Sequence, residues 1–177
     1  PIGIVKSDLQ ICYMDYLNSL GNIVTSTKLE NTTHFICSLS LVLEQMKGVH
    51  TMLWDASSNL GNYQTCFHQY YNQHFNEILE DMITSLEKST SMVQKPQLVV
   101  FIYDFDRWVT KLKDTSRLQV LIQKMKEYEN LSLVIADSSL KIKKYVFEPW
   151  FTSIFNVNQG VWIGRGISDQ SLLHLSN

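Results

Sequence analysis

Positive charge is scarce in this chain. Fifteen lysines and arginines face seventeen acids, for a formal net charge of −2, and Arg107, Arg117 and Arg165 are its arginines. Without a basic excess there is no electrostatic footprint for nucleic acid. The one basic run, Lys141-Ile142-Lys143-Lys144, reads as the solvated face of a short helix. Long apolar runs are missing too. None approaches the ~20 residues that span a bilayer, and nothing resembles a signal peptide. Cys12, Cys37 and Cys66 are odd in number and form no C-x-x-C pair. They read as free core thiols in a reducing compartment, not as a disulfide framework. The five histidines lack ligand spacing; His68 and His74 would not share adjacent turns of one helical face, which argues against a zinc site. There are no internal repeats and no low-complexity linker.

What remains is ordinary material for a core. At 177 residues and 45% apolar content, the chain suits one domain. It opens at Pro1 without a methionine and is expected to be a piece of something larger.

The apolar pattern alternates strands with helices, which predicts an α/β domain on a mainly parallel sheet. Ile2 to Val5 and Gln10 to Tyr13 read as a small hairpin around Lys6-Ser7-Asp8. Five parallel strands are expected to begin at Asn22, Val49, Gln97, Leu131 and Gly160. A helix from about Asn31 to Lys47 carries Phe35, Leu39, Val42 and Met46 on one stripe, with Gly48 as its C-cap. A long helix is expected from Tyr63 to Lys88, striped by Phe67, Tyr71, Phe75, Ile78, Met82 and Leu86. Arg107 to Tyr128 reads as helix broken near Asp114-Thr115-Ser116, and Ser139 to Phe147 as another helix. Gln97 to Tyr103 has the continuous apolar character of a strand covered on both faces.

Between the first parallel strand and its helix lies Ser26-Thr27-Lys28-Leu29-Glu30-Asn31-Thr32-Thr33. This is where G-x-x-x-x-G-K-[ST] would cradle phosphate. Ser26 and Asn31 replace the glycines, Thr32 replaces the lysine, and Thr33 keeps the final hydroxyl. At the carboxyl end of the apolar strand stands Tyr103-Asp104-Phe105-Asp106, where a P-loop enzyme holds Mg²⁺ by an acid. Two registers are open. Either Tyr103 replaces the metal acid and Asp104 stands for the catalytic one, or Asp104 is the metal acid and Phe105 replaces the catalytic one. A plainer reading makes Asp104 and Asp106 caps of the helix starting near Arg107.

The ordered set of motifs carries a resemblance. Pro1-Ile2-Gly3-Ile4 with Asp8-Leu9, the Tyr103-to-Asp106 tetrad, Phe147-Glu148-Pro149-Trp150, and Gly160-Val161-Trp162-Ile163-Gly164 together resemble FtsK/SpoIIIE-type motor ATPases of type VII secretion. The likeness spans essentially the whole chain and is strongest to the last ATPase domain of the membrane-anchored coupling protein. It implies a RecA-like P-loop fold in a cytoplasmic domain of a protein anchored in the bacterial plasma membrane. It also favours the first register, so that both nucleotide motifs are degenerate.

The chemistry of those losses is unfavourable to nucleotide. Glycines let a loop wrap phosphate oxygens with its N–H groups, and Thr32 supplies no charge to the phosphates. Glu30 adds an anion; at an effective dielectric near 20, a like charge about 4 Å away costs roughly 4 kcal/mol. No bound cofactor is therefore expected, and Mg-ATP enters only if neighbouring domains complete the site. The leading expectation is a nucleotide-incompetent ATPase-like domain used for substrate recognition or motor regulation. Its implied partners are secreted helical hairpins with a C-terminal signal and neighbouring ATPase domains of the same chain, with neither nucleic acid nor direct membrane contact. The alternative is a weakly active ATPase domain driving protein export, with an arginine supplied in trans. Aromatic material for a groove is present in Tyr63, Phe67, Tyr70, Tyr71, Trp108, Trp150, Phe151 and Phe155. Most of it is expected in the core, leaving Tyr70 and Tyr71, as adjacent helix positions, the better surface candidates.

Overall fold

The computed structural model describes residues 3–4, 11–12, 14–88, 96–128, 130–166, 168 and 170–173. Among them, two short antiparallel strands, β1 (Gly3–Ile4) and β2 (Ile11–Cys12), match the expected hairpin; its turn and the Asp8-Leu9 pair lie outside the described residues. The body is one parallel sheet of β3 (Gly21–Ser26), β4 (Val49–Asp55), β5 (Gln69–Tyr71), β6 (Gln97–Tyr103), β7 (Leu131–Ser138) and β8 (Gly160–Trp162). Their spatial order is β5-β4-β6-β7-β3-β8, one strand more than the five expected.

The central strands are apolar because they are covered twice. On one face α1 (Thr33–Glu44) and the 3₁₀ turn Gly61–Cys66 enclose Val24, Leu53, Val99, Phe101 and Val134. The other face is covered by α2 (Phe75–Lys88), α3 (Phe105–Lys111), α4 (Ser116–Tyr128), α5 (Ser139–Ile142) and α6 (Pro149–Thr152). There Trp54 stacks on Trp108 with ring centroids 5.5 Å apart. Each such fully buried large side chain contributes about 1.5–3 kcal/mol. Gly21 is required where β3 begins, since a Cβ there would meet the Ile154 carbonyl and the Phe155 ring at 2.7 Å.

The break between α3 and α4 falls where the Asp114-Thr115-Ser116 pattern puts it. Three expectations need correction. The helix predicted from Tyr63 to Lys88 begins only at Phe75; before it come the 3₁₀ turn and edge strand β5. Helical spacing of Phe67 and Tyr71 misled, because those side chains belong to a turn and a strand. Second, the buried face of α1 is Thr33, Ile36, Cys37, Ser40 and Leu43, with Val42 59% and Met46 45% exposed. Third, Gly48 takes φ +78° in the turn into β4, while Gln45 caps α1.

Candidate functional site

The sheet directs β3 and β7 in parallel up to the pair Ser26 and Ser138. Beyond them the chain leaves to opposite faces, toward α1 and toward α3–α5, opening the crevice where α/β proteins bind ligands. The Ser26–Thr33 segment occupies one lip. After exposed Thr27 and Lys28 it winds into a 3₁₀ turn, Leu29–Thr32. Its own hydrogen bonds close it. The Asn31 N–H donates to the Lys28 carbonyl at 3.2 Å, and the Thr33 N–H donates to that of Glu30. The Thr32 hydroxyl donates to the Leu29 carbonyl at 2.7 Å, and the Asn31 amide to Ser26 Oγ at 2.9 Å. Gly164, at φ +90°, brings the turn after β8 against the same lip; a Cβ there would lie 3.6 Å from Asn31 Nδ2.

Thr33 and Tyr103 meet across the crevice. Their side-chain oxygens are 2.9 Å apart in a buried hydrogen bond that either can donate. Burial pushes the Tyr103 phenol up to about 12; the Thr33 bond opposes this, and the charges of Glu30, Asp55 and Asp104 add to it. At neutral pH the phenol therefore keeps its proton.

Asp104 does not cap α3 with its side chain. It sits at φ +60°, 3% exposed, and its carboxylate takes Lys141 Nζ at 2.8 Å and Arg107 Nε at 3.1 Å. The capping bond comes from another strand: Asp137 Oδ2 accepts the Asp106 N–H at 2.9 Å. Asp106 in turn accepts Lys144 at 3.0 Å and the Tyr145 hydroxyl at 2.8 Å. Burial raises Asp106, but the bonds from Lys144 and Tyr145 outweigh it and hold the carboxyl below its ordinary range. Asp137, fully buried, is raised by desolvation despite its backbone bonds and Lys141.

The structure thus gathers Ser26, Asn31, Thr32, Thr33, Tyr103 and Asp104 at one end of the sheet, with Asp106 on the adjoining helix. Tyr70 and Tyr71 are half-buried on β5 and face opposite ways. They alternate because they are strand neighbours. Tyr71 packs on the larger core, whereas the Tyr70 hydroxyl donates to Asp55 at 3.0 Å. Trp108, Trp150, Phe151, Phe155 and Phe67 are core.

Sequence reasoning missed Asp55, Asp137 and Tyr145, and it read Lys141 and Lys144 as a solvated face where they pair with Asp104 and Asp106. A signal was present: β4 and β6 end in Asp55 and Tyr103-Asp104, and Asp137 stands near the end of β7, so an acid stands at the carboxyl end of three neighbouring strands. Asp55 is fully buried and accepts the Ser57 and Leu60 N–H groups at 3.1 and 2.7 Å and the Ser57 hydroxyl at 2.6 Å. Among the described residues no group of three or more His, Cys, Asp or Glu is arranged for a metal ion.

Solved structures share this architecture. The cytoplasmic domain of the type VII secretion ATPase EccC from Thermomonospora curvata matches 98% of this chain with a TM-score of 0.72 at 17% identity. The fold is that of a type VII secretion ATPase domain. EccC ATPases 2 and 3 from the same organism, in complex with a signal sequence peptide, match 94% with a TM-score of 0.67 at 18% identity. EssC ATPases 2 and 3 from Geobacillus thermodenitrificans match 100% with a TM-score of 0.67 at 14% identity. The chain covers 22% of the first and 35% of each of the other two. No protein-family model and no curated protein matches it. Within the EccC-like fold, the closed Ser26–Thr33 turn follows the strand and opens the helix, the place a P-loop takes.

Proposed function

We propose that this chain is an ATPase-like domain of a type VII secretion coupling protein that does not turn over nucleotide. It serves in recognition of exported substrates or in regulation of the motor. The observation that carries this reading is the Thr33–Tyr103 bond. The hydroxyl that would meet Mg²⁺ is held by a neutral phenol at the position of the metal acid. The fit to Mg-ATP is poor on three further counts. The turn's N–H groups at Asn31 and Thr33 are used internally. Thr32 is buried and uncharged, and Asp104 is neutralised by Lys141 and Arg107.

Arg107 and Arg117 pair with Asp104 and Glu80 inside the chain, which weakens the reading of an arginine donated to a neighbour. Lys141 and Lys144 serve Asp104 and Asp106, so the basic run has internal use that needs no nucleic acid. The EccC structure holding a signal sequence peptide supports recognition of a substrate segment. Tyr70 and Tyr71, on the sheet edge, are the proposed contact. Neighbouring ATPase domains of the same polypeptide are its further partners, and a membrane anchor would lie outside this domain; among the described residues no helix is long and apolar enough to cross a bilayer.

Isothermal titration with Mg-ATP tests the first half. The expected result is no saturable heat at millimolar nucleotide, and micromolar binding with turnover would overturn it. Pull-down of a cognate exported hairpin tests the second half, with loss of capture on Tyr70→Ala or Tyr71→Ala expected. Failure to bind in any format, including with adjacent ATPase domains joined, would reject recognition.

A further inference from the structure

α1 and the Gly61–Cys66 turn are strapped together along their length. The His34 and Tyr63 rings meet edge to face at 6.0 Å, and Ser40 Oγ donates to the Cys66 carbonyl at 2.7 Å. Cys37 lies one turn before Ser40 on the same inward face of α1, which directs it at the end of the facing turn. Cys37 is 5% exposed and Cys66 is half-buried, both reduced and both in the same apolar cluster. We propose that Cys37 and Cys66 form a reversible disulfide that staples α1 to the Gly61–Cys66 turn, with a low-molecular-weight disulfide as oxidant.

The order of events follows from access. Cys66, the more exposed, loses its proton and attacks one sulfur of the small disulfide. A Cys66–sulfur bond forms, the small molecule's S–S bond breaks, and the departing thiolate takes up the proton. Cys37 then loses its proton and attacks Cys66 Sγ, forming the internal bond and expelling the second thiolate, which is protonated in turn. The protein dithiol gives up two electrons and two protons, and one disulfide becomes two thiols. Burial raises the Cys37 thiol above its ordinary range, and that burial remains once Cys66 is tied up in the mixed disulfide. The second step is accordingly the slow one, and the mixed disulfide should be seen before it resolves. The staple would reach the candidate site, because Thr33, which holds Tyr103, opens the same helix.

The test is incubation of the Cys12→Ser chain with oxidised glutathione, followed by intact mass and non-reducing peptide mapping. A transient glutathione adduct is expected, resolving to a species about 2 Da lighter than the reduced protein, with Cys37 and Cys66 peptides linked. Closing a loop of this length should raise Tm by on the order of 10 °C, reversed by dithiothreitol. In Cys37→Ala the adduct should persist on Cys66. A persistent adduct or an unchanged thiol count in the parent overturns the proposal. Should Cys37→Ala fail to fold, the parent's peptide map decides alone.

Discussion

At the residue scale the decisive contact is a hydroxyl pair. Removing one member leaves the other buried without a partner, which costs about 1–3 kcal/mol. Tyr103→Phe and Thr33→Val should each lower the urea midpoint by that equivalent, while the double variant loses less than their sum. A coupling energy of about 0.5–1.5 kcal/mol is expected from the cycle; additivity would show that the two oxygens do not interact in solution. The phenol also titrates late. Burial pushes both Tyr103 and Tyr70 up to about 12. Such a group stays protonated in the folded chain after it would ionise unfolded, so stability falls as pH rises from about 10 toward 12. An ultraviolet phenolate titration should show late-ionising tyrosines, one fewer in Tyr103→Phe. Thr33 and Tyr103 were legible in the sequence because a motif frame gave each a position. Asp55 and Asp137 had only their strand-end positions as a signal, because Tyr70 reaches Asp55 and the Asp106 N–H reaches Asp137 only when β5 is set beside β4 and α3 beside β7.

At the scale of elements, hydroxyls and a carboxylate replace what apolar periodicity looks for. α1 turns Thr33 and Ser40 inward because each has a buried partner: Tyr103 for the first, Thr51 and the Cys66 carbonyl for the second. The apolar stripe of Phe35, Leu39, Val42 and Met46 therefore slid toward the surface, one residue round from the true inner face. Ile36→Ala, at 0% exposure, should cost about 2–5 kcal/mol; Val42→Ser should stay within about 0.5 kcal/mol of the parent. Chemical denaturation of the two variants checks the phase of the helix directly, and equal losses would contradict it. α3 gives the corresponding test of electrostatics. The folded carboxyl of Asp106 is held below its ordinary value, so its stabilisation is complete above the unfolded value near 3.9 and disappears as pH falls through the lower folded one. Asp137 runs the other way: its raised value favours the fold when protonated, a contribution lost as pH rises through that value. The stability gap between the parent and Asp106→Asn should be wide at pH 7 and begin to close only as pH falls below about 4, toward the lower folded value. A constant gap would assign the loss to packing and not to charge.

For the whole molecule, the sheet order sets where rigidity and function lie. β4, β6, β7 and β3 are flanked by strands on both sides and buried on both faces, whereas β5 and β8 are three-residue edges paired once. The long apolar runs of β4, β6 and β7 made the interior of the fold readable in advance. β5 was hidden because Gln69-Tyr70-Tyr71 has no such run and continues the helical spacing of its neighbours. Register adds a consequence. Asp55 and Tyr103 are paired partners on β4 and β6, and Tyr70 reaches Asp55 from the edge, so the candidate peptide contact and the closed turn are linked through two buried side chains. Native-state hydrogen exchange can read that arrangement. Amides of residues 99–102 and 133–136 should exchange only by global unfolding, while β5 and β8 open locally at lower free energy. Tyr70→Phe removes the hydroxyl that ties β5 to Asp55. It should speed exchange in β5 by about ten-fold, equivalent to about 1.4 kcal/mol, and leave β8 unchanged. Faster exchange in β8 as well would mean that the two edges open as one unit, and that the Tyr70–Asp55 bond steadies the sheet as a whole instead of one edge.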